Sequence, residues 1–268
     1  SSKHISEFDR DYSRFRPDSY IGLLNQGVVV TDPPPALVAL LQFGLTWYDR
    51  TNAAFNFLSG HLQEAQGYDA DYSFSRRDQP VTPLNPHDHL TLTEQSVQLT
   101  AGKLDLGGFG KGYLIDQLAT VLREEFGCEQ CLINGGGDMY GATTSDPIKV
   151  FVEHPTTPQV YIAQVPLQNQ ALAVSSSYKR TWHDRDTGET RNHFVDTNNA
   201  ERLVEGSSYI VASTAVVADT LATVASVAPP AVALPLLEEY ATAYLLWPAS
   251  GPLQCSPTFR PYLLEKTT

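Results

Sequence analysis

Asp219 and Thr223 stand four residues apart in Ala218-Asp219-Thr220-Leu221-Ala222-Thr223. That spacing puts both on one face of a helix. A carboxylate and a hydroxyl so placed offer two hard oxygens to Mg²⁺, which takes one or two protein carboxylates and fills its shell with water and phosphate oxygens. The alternative is that Thr223 simply faces outward beside Asp219. A second candidate is Leu104-Asp105-Leu106-Gly107-Gly108-Phe109-Gly110-Lys111-Gly112-Tyr113, which reads as a strand running through glycines into a helix. Such a junction lets backbone amides and the helix dipole approach a phosphate. Lys111 in the first turn opposes that dipole, and makes sense where an anion binds. Two common phosphate motifs fail here. A Walker A loop ending at Gly110-Lys111 needs Gly at 105 and Ser or Thr at 112, and the third glycine of G-x-G-x-x-G would fall at Tyr113. A tight strand-to-helix turn is the plainer reading.

Two further segments carry polar chemistry. Ser175-Ser176-Ser177-Tyr178-Lys179-Arg180 sets hydroxyls beside basic residues, which suits phosphate or ribose, and Asn192-His193-Phe194-Val195-Asp196 places His193 as a general base or hydrogen-bond donor, or as a structural histidine. Asn134-Gly135-Gly136-Gly137-Asp138 allows close approach of a ligand or another chain segment, and is equally an ordinary loop. His87-Asp88-His89 has the alternation of a strand metal site but sits in a proline-flanked loop, so ligation is not the expectation. Cys128 and Cys131 form one C-x-x-C without a second, and with Cys255 the cysteine count is odd. They read as packing thiols rather than a disulfide framework, a redox pair or a zinc site.

The elements that must position these residues follow from periodicity and punctuation. Pro33-Pro34-Pro35 leads into a helix over Ala36 to Tyr48. Residues 80 to 92 read as loop, and Gln95 to Leu106 as two strands joined at Ala101-Gly102. Lys111 to Phe126 predicts a helix with Leu114, Ile115, Leu118, Val121, Leu122 and Phe126 on one face, ended by Gly127. A buried strand to Ile133 follows, then strands over 148–152, 161–165 and 171–175. Residues 183 to 207 are polar, with turn signals at Asp186-Thr187-Gly188 and Asn198-Asn199. Ser213 or Thr214 caps a helix to about Ala228, which Pro229-Pro230 stops, and a strand follows near Ala241 to Trp247. This order predicts an α+β fold without regular alternation, one domain over residues 1–268. With 42% hydrophobic and 18% charged residues in 268, the chain has the composition of a globular protein. A net charge of −12 with no basic stripe argues against nucleic acid. A pyrophosphate bound to so acidic a protein needs a cation, a helix N-terminus or a placed lysine. No stretch is long and apolar enough to span a membrane. No signal peptide is visible from Ser1, so the chain as it stands reads as cytoplasmic, with export or lipid anchoring of a longer precursor left open.

Taken together and in this order, these segments resemble the FAD:protein FMN transferase (ApbE) family. That family's pattern runs from a strand ending in Asp-Leu-Gly-Gly to a Lys-Gly-Tyr helix with a further Asp. An Asn-x-Gly-Gly-Asp turn, a Ser-rich Tyr-Lys-Arg segment, a His-x-x-Asp pair and an Asp-x-x-Ala-Thr helix follow. Here these are Asp105 to Gly108, Lys111 to Asp116, Asn134 to Asp138, Ser175 to Arg180, His193 to Asp196 and Asp219 to Thr223. Tyr12 to Ser19 with Leu24-Asn25 is similar to the family's early segment, and Asn52-Ala53-Ala54-Phe55-Asn56 to its Gly-Ala-Phe-Asp turn. The likeness spans roughly residues 10 to 228.

The resemblance implies mixed, mainly antiparallel sheets with packed helices in an ApbE-like (T-fold-like) arrangement. It implies Mg²⁺ held by the Gly108 carbonyl, Asp219 and Thr223, with FAD as substrate against Phe15, Ala54, Phe55, Asn56, Asp105, Lys111 and Phe194. His193 and Asp219 are the expected catalytic residues. A Thr or Ser hydroxyl of a target flavoprotein attacks the FMN-side phosphorus and AMP leaves; the alternatives are a non-catalytic flavin-nucleotide binder or a pyrophosphatase giving FMN and AMP. The sequence departs from the pattern in places. The family's N-terminal Met-Gly-Thr strand has no counterpart, Phe15 replaces a Tyr, Asn56 an Asp, Val174 a Thr, and Thr197 the proline after His-x-x-Asp. Gly141-Ala142-Thr143 echoes the acceptor sequence such enzymes modify but lacks the preceding hydroxyl residue.

Overall fold

The computed structural model describes residues 2–69, 72–75, 81–178, 181–185, 187–192, 194 and 205–265. The chain divides into two compact units, Ser1–Gly107 with Thr181–Val204, and Gly108–Arg180 with Glu205–Thr268.

The first unit opens with helices α1 (Ser2–Tyr12) and α2 (Tyr20–Asn25). Ser19 caps α2 by accepting the Gly22 amide at 2.8 Å. Strand β1 (Val30–Thr31) precedes α3 (Pro35–Arg50), which begins at a proline as its sequence predicts and buries Leu37, Leu40, Leu41, Leu45 and Trp47. Helix α4 (Gly60–Ala65), the one-turn helix α5 (Pro86–His89), and strands β2 (Leu90–Leu92) and β3 (Ser96–Leu99) complete this part, with β3 between β1 and β2 in an antiparallel sheet. The expected loop over 80–92 thus holds a short helix and a strand, because Asn85 caps α5 through the His87 amide at 3.0 Å and Pro86 fits its first turn.

The expected second strand near 103–106 does not form a ladder. The Asn25 side chain takes the place of a partner strand, accepting the Leu104 amide at 2.6 Å and donating to its carbonyl at 3.0 Å. The Asp105 amide donates to the Phe57 carbonyl.

The second unit begins with α6 (Gly110–Glu124) and continues through β4 (Gln130–Asn134), β5 (Met139–Thr143), β6 (Ile148–Glu153), β7 (Tyr161–Leu167) and β8 (Gln170–Ser176). The chain then returns to the first unit for the hairpin β9 (Thr181–His183) and β10 (Thr190–Asn192). It ends in the second unit with β11 (Gly206–Ala212), α7 (Ala215–Val227), α8 (Pro230–Tyr240), β12 (Ala243–Pro248), β13 (Gln254–Cys255) and a 3-10 turn at Arg260–Tyr262. Six strands form an antiparallel sheet in the order β13-β12-β11-β8-β5-β4, while β6 and β7 pair with each other. Val150, Val152, Val165, Leu167, Leu172, Val211, Leu245 and Phe259 belong to one core that joins this hairpin to the sheet. Helix α7 packs on β8 and β11, and α6 on β4, β5 and α7.

Several expectations are corrected here. β4 is not buried: it is the edge strand, and Leu132 is 45% exposed. Phe126 lies beyond the last turn of α6 and is 70% exposed rather than on its apolar face. The polar 183–207 stretch ends in β11, a central strand whose Ser207 and Ser208 are buried by hydrogen bonds to Ser176 and to the Ala222 carbonyl. Pro229-Pro230 both ends α7 and opens α8, since proline fits a first helical turn. No helix among the described residues is long and apolar enough to cross a membrane.

Candidate functional site

In the second unit the N-terminal turn of α6 and the first turn of α7 come together because Gly112 has no side chain. A Cβ there would lie 2.3 Å from the Ala215 carbonyl oxygen, inside contact distance. Asp116, one turn on, accepts the Ala215 and Val216 amides at 2.7 and 2.9 Å and so caps α7 together with Thr214. Burial pushes the Asp116 carboxyl above its ordinary value, and the two amides oppose that shift.

This docking sets Asp219 and Thr223 over the start of α6. Asp219 is 2% exposed; its Oδ2 accepts the Gly112 amide at 3.0 Å and its Oδ1 lies 2.9 Å from Lys111 Nζ. Lys111 Nζ is also 3.0 Å from Asp138 Oδ2, and Asp138 is itself 3% exposed. Burial alone would depress the Lys111 ammonium, but the two carboxylates outweigh it and hold it well above its usual range. Burial raises the Asp219 carboxyl, with Asp138 adding to the shift and Lys111 and the Gly112 amide opposing it. The helix-opening lysine that looked electrostatically wrong is therefore answered first by protein carboxylates. The cluster thus sets two acids against one ammonium.

Next to it, the Thr223 hydroxyl faces the Gly108 carbonyl oxygen at 3.4 Å, a long and weak hydrogen bond. Two oxygens bound to adjacent positions of an octahedral magnesium at about 2.1 Å stand about 3.0 Å apart. The Gly108 and Thr223 oxygens lie close to that spacing, and with the Asp219 carboxylate they are of the donor type a hard divalent cation takes. Among the described residues no group of three or more His, Cys, Asp or Glu side chains converges. The set just described needs only one carboxylate, the remaining positions suiting water or phosphate oxygens.

The expected nucleotide contacts in the first unit fall around Arg14, which the sequence did not single out. Its side chain is 6% exposed. The guanidinium donates to Gln63 Oε1 at 3.0 Å and to the Tyr68 carbonyl at 3.1 Å, and its Nε lies 3.3 Å from Asp105 Oδ2. It also stacks 4.2 Å from the Phe15 ring centroid. Asp105 Oδ1 accepts the Gly107 amide at 2.8 Å, which shapes the start of the glycine turn. Phe15 remains 39% exposed, edge-on to Tyr68 and stacked on Tyr72. Arg14 thus brings Phe15 and Asp105 together. No local signal marked it: an arginine in a charged N-terminal helix region reads as solvated.

The other expected contacts sit deeper. Ala54, Phe55 and Asn56 are 2%, 3% and 8% exposed. Asn56 holds two loops, its Oδ1 accepting the Leu58 amide and its Nδ2 donating to the Leu84 carbonyl, both at 2.9 Å. Phe194 is 7% exposed and its amide donates to Asn192 Oδ1. His193 lies outside the described residues, as do Lys179, Arg180 and Asp196. Thr143 is 2% exposed in β5, so the acceptor-like triplet is covered. Cys128, Cys131 and Cys255 are unlinked and half-buried. His87 pairs with Asp49 at 2.7 Å, and His89 Nδ1 lies 3.3 Å from Thr100 Oγ1.

An α+β scaffold carrying a carboxylate, a hydroxyl and a carbonyl oxygen beside a half-buried lysine defines the class of this site. The sequence profile of the ApbE family matches residues 1–246, and the chain belongs to that family. Its structure is similar to the apo flavinyl transferase ApbE of Pseudomonas stutzeri, with a TM-score of 0.78 and 18% identity, covering 97% of this chain and 86% of that one. The ApbE protein of Thermotoga maritima gives 0.76 at 21% identity over 98% and 90% of the two chains. The flavin transferase ApbE of Vibrio cholerae gives 0.76 at 19% over 98% and 88%. At these identities the likeness establishes the fold, and it agrees with the mixed, mainly antiparallel α+β arrangement expected from the sequence. No curated protein matches the chain.

Proposed function

We propose that this chain transfers FMN from FAD to a Thr or Ser hydroxyl of a target protein, with Mg²⁺ bound and AMP released. The observation that carries the reading is the oxygen set of Gly108, Thr223 and Asp219, with Lys111 2.9 Å from Asp219 at the N-terminus of α6. Magnesium would be held by those three groups, and when bound it would draw charge from the phosphoryl oxygens. Family membership and the flavin transferases among the structural neighbours support the choice of a flavin nucleotide.

The chain's own residues supply the rest. The first-turn amides of α6 favour the pyrophosphate electrostatically, and Lys111, paired with Asp219 and Asp138, is the candidate contact beside them. Asp105, held by Arg14, and the exposed Phe15 ring are the candidate nucleotide contacts, together with the Ala54–Asn56 segment, whose buried side chains support the turn. The acceptor oxygen forms a bond to the FMN-side phosphorus as the bond to the AMP oxygen breaks. The hydroxyl proton passes to a base, for which His193 is the candidate. Positioning and charge stabilisation account for most of the catalysis in such a transfer.

The test is AMP release from FAD across a Mg²⁺ titration, with and without a peptide carrying an acceptor Thr. AMP release that depends on both Mg²⁺ and peptide supports transfer. Release independent of peptide points to hydrolysis to FMN and AMP. Tight FAD binding without release means a non-catalytic binder, and no binding refutes the flavin reading.

A further inference from the structure

The Asn134–Asp138 turn delivers a carboxylate that the proposed chemistry leaves unused. Asp138 is almost fully buried, which is rare for an acid that is not paired. Its Oδ1 accepts the Val174 amide at 2.9 Å, fixing the side chain against β8. Its Oδ2 is shielded from solvent, has no aligned hydrogen-bond donor among the described residues, and lies 3.0 Å from Lys111 Nζ. The local backbone is shaped to put it there. Asn134 Oδ1 accepts the Gly136 and Gly137 amides, and the Asp138 carbonyl accepts the Gly135 amide. Gly136 and Gly137 have φ of +82° and +114°, where a side chain would be strained.

We infer that Asp138 is a positioning residue acting through Lys111: it shares the ammonium so that Asp219 keeps oxygen lone pairs for a divalent cation. A lysine paired with Asp219 alone would neutralise that carboxylate and compete with a metal ion for the same oxygens. Shared between two fixed carboxylates at 2.9 and 3.0 Å, the ammonium is not taken up by Asp219 alone. The inference rests on the cation reading proposed above and adds a residue outside the expected ligand set.

The probe is Mn²⁺, followed by the electron paramagnetic resonance of the free ion with FAD present. Wild type, Asp138→Asn, Lys111→Met and the double variant form a cycle. Asparagine keeps an oxygen for the Val174 amide and turns an amide NH2 toward Lys111, so Asp138→Asn removes both the charge and the acceptor that share the ammonium. Asp138→Asn is expected to weaken Mn²⁺ binding on the order of tenfold. In the Lys111→Met background the same change is expected to shift binding by less than about twofold, because the residue acts through the lysine. Wild-type affinity in Asp138→Asn, or an equal loss in both backgrounds, overturns the inference and leaves the metal reading standing. Failure of the wild type to bind Mn²⁺ overturns both. Should Asp138→Asn not fold, Asp138→Ser in the same two backgrounds carries the same expectation.

Discussion

Replacing Arg14 with Met keeps most of the side chain's bulk and removes its charge and its fork. The guanidinium is buried, with bonds to Gln63 Oε1 and the Tyr68 carbonyl, an ion pair to Asp105 at 3.3 Å and a longer one to Glu64 at 3.9 Å. Breaking a buried pair by deleting one partner costs about 3–5 kcal/mol, because the other charge is left uncompensated. Two features bring the expectation to the low end. Asp105 keeps the Gly107 amide, and Glu64 keeps Lys103 at 2.6 Å. The lost stacking on Phe15 is partly replaced by sulfur–aromatic contact. The expected loss is therefore about 3 kcal/mol, or about 6–12 °C in melting temperature for a chain of this size class. Arg14→Lys should recover part of it, since lysine keeps the charge but not the planar fork. Pairing Arg14→Met with Asp105→Asn should recover part by removing the orphaned carboxylate. Urea denaturation followed by tryptophan fluorescence measures all four proteins. A loss below about 1 kcal/mol for Arg14→Met would refute the view that this arginine is the keystone of its cluster.

Other perturbations test other joints. Gly112→Ala places a methyl 2.3 Å from the Ala215 carbonyl and should cost about 1–3 kcal/mol by forcing α6 and α7 apart; wild-type stability in urea would contradict the close-contact argument. Asn56→Asp restores the family's residue yet turns a carboxylate oxygen on the Leu84 carbonyl. It should lower stability by about 1–3 kcal/mol, seen as a reduced urea midpoint. Asp116 holds its proton more tightly in the native state than in the unfolded chain. Its contribution is therefore complete below about pH 4 and is lost as pH rises through the raised native value. The stability of wild type relative to Asp116→Asn should accordingly fall as pH rises above about 4 in urea titrations, and a rising difference would contradict the sign.

Much of the second unit was legible because its signals are local. Periodicity marked α6, Thr214 marked the start of α7, and the i, i+4 spacing of Asp219 and Thr223 placed both on the α7 face above Gly108. What the sequence hid depends on distant partners. The strand-like 103–106 segment is satisfied by the Asn25 side chain rather than by a ladder, and no periodicity reports that. β11 reads as polar because Ser207 and Ser208 are buried only through hydrogen bonds to other elements. β4 reads as buried because its apolar residues do not say that it lies at the sheet edge. Arg14 and Asp138 were hidden for a similar reason. Each gains its role from an ion pair to a residue far away in sequence, Asp105 and Lys111 respectively.

The central claim is that the α7 oxygens serve phosphoryl transfer from FAD to a protein hydroxyl. The most direct measurement is the mass of an acceptor-Thr peptide after incubation with FAD and Mg²⁺, using wild type, Asp219→Ala and Thr223→Val. The account predicts peptide carrying FMN with wild type, about 10²-fold or more less with Asp219→Ala, and an intermediate loss with Thr223→Val. Peptide left unmodified by wild type while FAD is bound or hydrolysed, or modified equally by all three proteins, would contradict it.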